Sequence, residues 1–252
     1  MKITVIASGS KGNATLIETD NTKILIDLGI SCNNIENKLK SIDVKPKDIN
    51  AILVTHAHSD HVKGIFTFIK KHKPKVYLSP IICDELELHN YQELNFYEPL
   101  TYIDDLTIRV FKVSHDAKET FGFLIKYLNK ECVFIPDTGY INKRYINSLK
   151  NKDIYIIESN YDPEMLTSGP YPHHLKRRIW STKGHLSNQD SAHYLKELIG
   201  NNTKHVVLAH LSEQNNHPEI AETTHRDILK TKLKNTKLCV AKQDEILECI
   251  EV

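Results

Sequence analysis

The chain carries no excess charge of either sign: Lys plus Arg (33) nearly equals Asp plus Glu (32) over 252 residues. A global basic field for capturing nucleic acid is therefore absent, and any grip on a polyanion must be local. No Cys-x-x-Cys pair occurs. The five cysteines, Cys32, Cys83, Cys132, Cys239 and Cys249, are scattered and odd in number. This is the pattern of reduced thiols rather than a disulfide framework, and it points to the cytoplasm. Long apolar runs are lacking as well. The stretch Ile3 to Ala7 is too short for a secretory signal and breaks at Ser8-Gly9-Ser10-Lys11-Gly12, so neither secretion nor membrane insertion is expected. No low-complexity linker divides the chain and no short repeat recurs. With 40% hydrophobic residues, the composition fits one domain over residues 1–252.

What is present is a concentration of metal-binding side chains. The apolar run Ala51-Ile52-Leu53-Val54-Thr55 leads directly into His56, His58, Asp60 and His61. Three histidines within six positions stand out in a chain that averages one per 18 residues. Neutral imidazoles suit zinc, manganese or iron, and a carboxylate adds affinity for a hard divalent cation. Alternating His56 and His58 can grip one ion while Asp60 and His61 grip another.

The surrounding pattern is mixed α/β. Strands are expected at Lys2 to Ala7, Ala14 to Glu18, Lys23 to Asp27, Ala51 to Thr55, Lys75 to Leu78, Leu106 to Val113, Phe121 to Tyr127, Cys132 to Ile135, Ile154 to Glu158 and His205 to Ala209, with short ones near Leu238 to Ala241 and Glu245 to Ile250. Helices are expected at Asn33 to Ile42, Val62 to Lys71 (with Val62, Ile65, Phe66 and Ile69 on one face), Pro80 to His89, Asn188 to Ile199 and Pro218 to Leu233. Further candidate ligands follow strand ends: His115, Asp137 and His210. A carboxylate such as Asp137 can bridge two cations, while His115 and His210 each complete the protein shell of one. Any one of these alone is an ordinary surface residue; with the cluster they form a set.

Thr55-His56-Ala57-His58-Ser59-Asp60-His61, preceded by Ile24-Leu25-Ile26-Asp27-Leu28-Gly29 and followed by His115, Asp137 and His210, resembles the motif set of the metallo-β-lactamase superfamily. The resemblance implies a four-layer αββα sandwich. It also implies His56, His58 and His115 on one metal, Asp60, His61 and His210 on the other, Asp137 bridging, and Asp27 supporting the cluster loop. Segments Ala7 to Asn13, Ile157 to Asp162, Gly169-Pro170-Tyr171-Pro172 with Gly184-His185-Leu186-Ser187-Asn188, and His210 to Asn216 are similar to the YycJ/WalJ branch of bacterial 5′-to-3′ DNA exonucleases. They are more distantly similar to tRNase Z and the β-CASP nucleases. One position and one segment depart from that branch: Lys11 stands where a small residue or serine is usual, and Trp180-Ser181-Thr182-Lys183 where acidic residues are frequent. Neither touches an expected ligand.

The chemistry follows from the residues. Two divalent cations about 3.5 to 4 Å apart lower the pKa of a shared water and neutralise charge on a phosphoryl oxygen, which suits a phosphodiester. Zn²⁺ or Mn²⁺ is expected, and the donor set tolerates Fe²⁺. Asp60 serves both the metal and the catalysis. His185 is the candidate proton donor to the leaving oxygen, by resemblance to the Gly-His motif of tRNase Z; the alternative is that it packs or binds phosphate. Ser187, with Asp190 three residues on, has the spacing of a capping box. Glu158 either orients His185 or is an ordinary strand-end carboxylate.

Two segments are candidates for substrate contact. Backbone amides of Ser8 to Asn13, with Ser8, Ser10 and Asn13 among them, form either an anion cradle or a simple hairpin turn. Lys176, Arg177, Arg178 and Lys183 flank Trp180 and form either a nucleic-acid contact or a solvated loop with Trp180 in the core. The expected enzyme is a DNA exonuclease, with a small-molecule or cyclic-nucleotide phosphodiesterase as the alternative. A nonenzymatic nucleic-acid-binding regulator ranks lower, since it has no need of seven ligand positions. A diiron redox enzyme is disfavoured because the second cluster histidine, His58, is typically glutamate in such relatives.

Overall fold

A computed structural model describes the whole chain, Met1 to Val252, as two seven-stranded sheets packed face to face with helices outside each. The first sheet holds β1 (Lys2–Ala7), β2 (Ala14–Glu18), β3 (Lys23–Ile26), β4 (Ala51–Leu53), β5 (Lys75–Leu78) and β6 (Leu94–Phe96). The second holds β7 (Leu100–Ile103), β8 (Leu106–Lys112), β9 (Phe121–Tyr127), β10 (Lys130–Ile135), β11 (Ile154–Glu158), β12 (His205–Ala209) and β13 (Lys237–Val240). The chain then returns to add β14 (Ile250–Glu251) beside β1. Each sheet begins as an antiparallel meander, β1 to β3 and β7 to β10, and continues as a parallel run, β3 to β6 and β10 to β13.

Parallel runs need crossover connections, and the helices supply them. These are α1 (Cys32–Ser41), α2 (Ser59–Val62), α3 (Ile65–His72), α4 (Pro80–Leu86), α5 (Lys143–Leu149), α6 (Pro163–Ser168), α7 (His173–Ile179), α8 (Asn188–Leu198) and α9 (Pro218–Leu229). The alternation along β10 and β11 gives the layer order directly. Cys132, Phe134, Ile154 and Ile156 point into the core shared with the first sheet, whereas Val133, Ile135, Tyr155 and Ile157 pack with Ile146, Leu149, Leu195 and Leu229 of the outer helices. These strands read as unbroken apolar runs because both faces are covered. The result is the expected αββα sandwich.

Several elements differ from the sequence pattern. The helix expected over Val62 to Lys71 is broken at Gly64, whose missing Cβ makes room for the Ile30 carbonyl 2.4 Å from where it would stand. Rotated by that break, α3 buries Phe68 and leaves Phe66 exposed. The helix from Pro80 stops at Leu86 because Glu87 turns left-handed, with φ of 52°. The expected helix through Leu233 ends at Leu229, and its last residues form a 3-10 turn. Of the terminal strand expected over Glu245 to Ile250, only Ile250 pairs, together with Glu251 just beyond it. Short β6, β7, α5, α6 and α7 carry no long periodic signal and were not anticipated.

Candidate metal centre

The site is built from the carboxyl ends of strands, where a parallel sheet leaves its connecting loops free to converge. Asp27 follows β3, the His56–His61 loop follows β4, Asp137 follows β10, Glu158 ends β11 and His210 follows β12. His115 arrives from the end of the antiparallel β8. Asp27 has φ of 59°, which turns its carboxylate back toward the loop after β4. There Oδ1 accepts the Thr55 amide at 2.8 Å, and Oδ2 accepts the Thr55 hydroxyl at 2.8 Å and His61 Nδ1–H at 2.7 Å. Thus one buried carboxylate ties both ends of the loop. On the other side the Asn13 amide donates to the Asp60 carbonyl at 2.8 Å. Gly29 is required here by close approach: a Cβ would lie 1.7 Å from the Asp60 carbonyl oxygen.

The side chains gather as two abutting donor groups. His56, His58 and His115 bring ligand atoms within 4.8 Å of one another, and so do Asp60, His61, Asp137 and His210. Asp137 lies between them. Its Oδ2 is 4.0 Å from His56 Nε2, 3.8 Å from His115 Nε2 and 3.4 Å from His210 Nε2, while Oδ1 is 3.5 Å from His61 Nε2. The far nitrogens are held from behind: His56 Nδ1 by the Thr55 hydroxyl at 3.0 Å, His115 Nδ1 by the Gly184 carbonyl at 2.9 Å, and His210 Nδ1 by Glu158 Oε1 at 3.1 Å. Together with Asp27 behind His61, these bonds fix the tautomers that aim a lone pair inward. His58 is the exception, with Nδ1 facing His115 Nε2 at 3.3 Å.

Physical chemistry says what the pocket is suited to hold. His56 Nε2 and Asp137 Oδ1 are buried without a hydrogen-bond partner, an arrangement that proteins avoid unless something else satisfies the atoms. Burial alone would lower the pKa of His61, but the Asp137 and Asp27 carboxylates outweigh it and hold it well above the usual value. The same opposition, with Asp137 foremost against burial, takes His210 to about 10. His56, buried and next to other imidazoles, is pushed well below the usual range. Protons on His61 and His210 thus stand where divalent cations would neutralise the same carboxylates, and the donor set fits them.

Beside this centre, His185 Nδ1 donates to Glu158 Oε1 at 2.5 Å, and its ring stacks on His210 with centroids 5.4 Å apart. Glu158 is fully buried, and its Oε2 accepts the Thr138 amide at 2.8 Å and the Leu186 amide at 3.1 Å. Ser187 caps α8, accepting the Asp190 amide at 3.0 Å, and this holds the His185 loop. The cleft over both groups, about 160 Å³, is also lined by Ser10, Asn160, Tyr171, Arg178 and Ser212.

The Ser8–Asn13 segment does not form the anion cradle considered from sequence. Amides of Ser8, Gly9, Lys11, Gly12 and Asn13 are already taken, by the Lys242 carbonyl, the Asn13 side chain, Gln243, the Gly9 carbonyl and the Asp60 carbonyl. The Ser8 hydroxyl is buried and accepts the His210 amide at 2.7 Å, and Asn13 is spent on the loop, so both brace ligands; only Ser10 faces the cleft. In the basic segment, Arg178 reaches the cleft and pairs with Asp116, Lys176 and Arg177 line a second cavity with Trp180, and Lys183 lies exposed in the following turn. Trp180 is 59% exposed, not in the core. Sequence reading missed Asp116, 3.7 Å from His58 Nε2, and Asn160, which donates to the His210 carbonyl at 3.0 Å. Asp116 directly follows His115, which was the available signal. A further cluster, Cys32, Glu36 and His72, lies apart and braces α1 on α3 through a 2.9 Å Glu36–His72 bond.

An αββα sandwich whose strand ends gather two abutting His/Asp donor groups defines the class: a metal-dependent hydrolase. Residues 22–211 match the β-lactamase superfamily domain, and the chain belongs to this metallo-β-lactamase superfamily. It is 38% identical over 231 residues to exodeoxyribonuclease WalJ of Streptococcus pneumoniae, covering 88% of this chain and 86% of that one. It is 36% identical over 238 residues to exodeoxyribonuclease YycJ of Bacillus anthracis, covering 92% and 90%. Among solved structures, the metallo-β-lactamase fold protein YhfI of Bacillus subtilis superposes with a TM-score of 0.77 at 16% identity, covering 98% of each chain. The short form of human tRNase Z gives 0.66 at 15% identity, covering 98% and 99%.

Proposed function

We infer that the protein is a DNA exonuclease that hydrolyses phosphodiesters with two divalent cations, Zn²⁺ or Mn²⁺, with Fe²⁺ tolerated. The observation that carries this is the joining of the donor group that contains His210, through Glu158, to His185 at the wall of the cleft that overlies both groups. Likeness to two exodeoxyribonucleases over most of the chain supports DNA as the polymer, and we take the course as 5′-to-3′. His56, His58 and His115 would hold one cation, and Asp60, His61 and His210 the other, with Asp137 shared. When bound, such a pair activates water and neutralises charge on the phosphoryl group.

The chain's own residues do the rest. Arg178, held by Asp116 at the cleft wall, meets the phosphate oxygens with a guanidinium that matches their geometry. His185 gives its Nε2 proton to the leaving oxygen, while Glu158 accepts Nδ1–H and stabilises the charged ring. Burial works against that charge, but the Glu158 carboxylate overcomes it, and the His185 pKa is raised. Five unpaired cysteines support a reducing, cytoplasmic setting for a one-domain enzyme.

The test uses purified protein loaded with Zn²⁺ or Mn²⁺ on DNA labelled at either end. Progressive shortening from the 5′ end is expected, and Asp60→Ala or His61→Ala should abolish it. Cleavage of bis-aryl phosphodiesters with no polynucleotide cut would hand the site to the small-molecule reading.

A further inference from the structure

Helix α7 works on two fronts. Leu175, Arg178 and Ile179 line the metal cleft, while His173, Lys176 and Arg177 line a separate cavity of about 330 Å³ with Trp180, Leu166 and Thr167. Successive helical residues point about 100° apart and rise about 1.5 Å, so Arg177 and Arg178 serve neighbouring sites from one rigid element. Trp180, the only tryptophan in the chain, caps the helix with its indole 59% exposed. Leu166 forms a fully buried floor, and Lys176 is fixed across the rim by a 2.6 Å bond from Nζ to the Thr167 carbonyl.

The cavity wall contains two permanent cations and no carboxylate. Its chemistry selects a ligand with a planar π-face to lie on indole and an anion within reach of guanidinium and ammonium. A nucleobase with its own phosphate has both; an acidic peptide lacks the face, and an apolar chain lacks the charge. A base inside a duplex has both faces covered by its neighbours, so only an unpaired one can stack there.

Building on the DNA-hydrolase reading above, we propose that the Trp180 cavity receives an unpaired nucleobase adjacent to the nucleotide being cut. The enzyme therefore grips its substrate as a single-stranded end. Trp180 supplies the stacking face, Arg177 and Lys176 hold the flanking phosphate, and Arg178 hands the next phosphate to the metal cleft. Because every base has a π-face, the grip is indifferent to sequence.

The sole tryptophan makes this readable without chemistry. Protein stripped of metal with EDTA is titrated with oligothymidylate, following indole emission and the anisotropy of a labelled strand together. Saturable quenching that coincides with the anisotropy curve is expected, and blunt duplex of equal length should give neither. Trp180→Ala should raise the Kd and the KM for single-stranded DNA about 5- to 150-fold, the loss of one base stack, and Trp180→Phe should restore much of it. Thermal melts of the variants establish that they fold. Strand binding that leaves indole emission unchanged, or a Trp180→Ala enzyme that degrades single strands with wild-type KM, overturns the cavity assignment while leaving the nuclease standing. A wild-type enzyme that cuts no DNA in any form removes the parent reading instead.

Discussion

Glu158→Gln separates the two duties of one buried carboxylate. Its Oε2 accepts two backbone amides, from Thr138 and Leu186, while Oε1 accepts Nδ1–H from both His185 and His210. Glutamine has the same shape but only one acceptor oxygen. That oxygen must face the two amides, since turning the NH₂ toward them would set donors against donors. The NH₂ then meets His185 and His210, each of which must offer Nδ1 as an acceptor and carry its proton on Nε2. For His210 this aims a proton at Asp60 and Asp137, where a cation should bind. Loss of such a supporting partner reduces metal affinity about 10- to 100-fold, or roughly 1.4 to 2.7 kcal/mol. His185 simultaneously loses the anion that stabilises its charged form, so turnover should fall even at saturating metal. Chelator-competition titration reads the first effect and DNA hydrolysis at excess metal the second. The fold should survive because both amides keep their acceptor. A Gln variant that binds both metals as tightly as the wild type would refute the reasoning, since the tautomer argument allows no such result.

Two further outcomes follow from features outside the ligand set. His225 in α9 is buried, with Nδ1 donating to the Ala221 carbonyl at 2.8 Å and Nε2 unpartnered. Burial lowers its pKa to about 4, against a weaker opposing effect of that carbonyl. The neutral form is the folded form, so its stabilisation is complete above about pH 6.5 and is lost as the pH falls toward 4, by about 3 kcal/mol in all. Urea denaturation across that window should show this slope, and His225→Leu should flatten it; an unchanged slope counts against the assignment. Gly29→Ala should abolish metal uptake and activity together, because the added methyl meets the Asp60 carbonyl at 1.7 Å and must displace the ligand loop. Metal analysis of the folded variant decides it, and wild-type metal content would contradict the geometry.

The candidate ligands were legible because each lies in a loop that follows a short apolar strand, from one residue past its end at His210 to eight at His61, and strand ends are marked by composition. His56 to His61 after β4 and His210 after β12 needed no tertiary information. The second role of Glu158 did. Parallel pairing sets Glu158 opposite Ala209, which brings the residue just after β12, His210, alongside the carboxylate, and that register is not written in either segment alone. The loop at Ser8 to Asn13 misled for a related reason. Its glycines suggest free amides, but Gln243, far away in the chain, and the Asp60 carbonyl consume them. Helices α5 to α7 escaped notice because six or seven residues, rich in His, Lys and Arg in α7, give too little periodicity to distinguish a helix from a loop.

The two sheets explain why the centre forms at all. Each changes from meander to parallel run partway across, at β3 and at β10, and each therefore turns a set of carboxyl ends in one direction. Asp27 and the His56–His61 loop come from the first sheet, and Asp137, Glu158 and His210 from the second. Only when the sheets pack with those ends together does Asp137 approach within 3.5 Å of His61 and 4.0 Å of His56. Burying Asp27, Asp137 and Glu158 so close together is unfavourable, and the imidazoles offset it by holding protons or by sharing a cation. The same carboxylates whose crowding is unfavourable are those that suit the pocket to divalent cations. The centre is thus a seam between sheets, and catalytic geometry and sandwich packing rest on the same contacts.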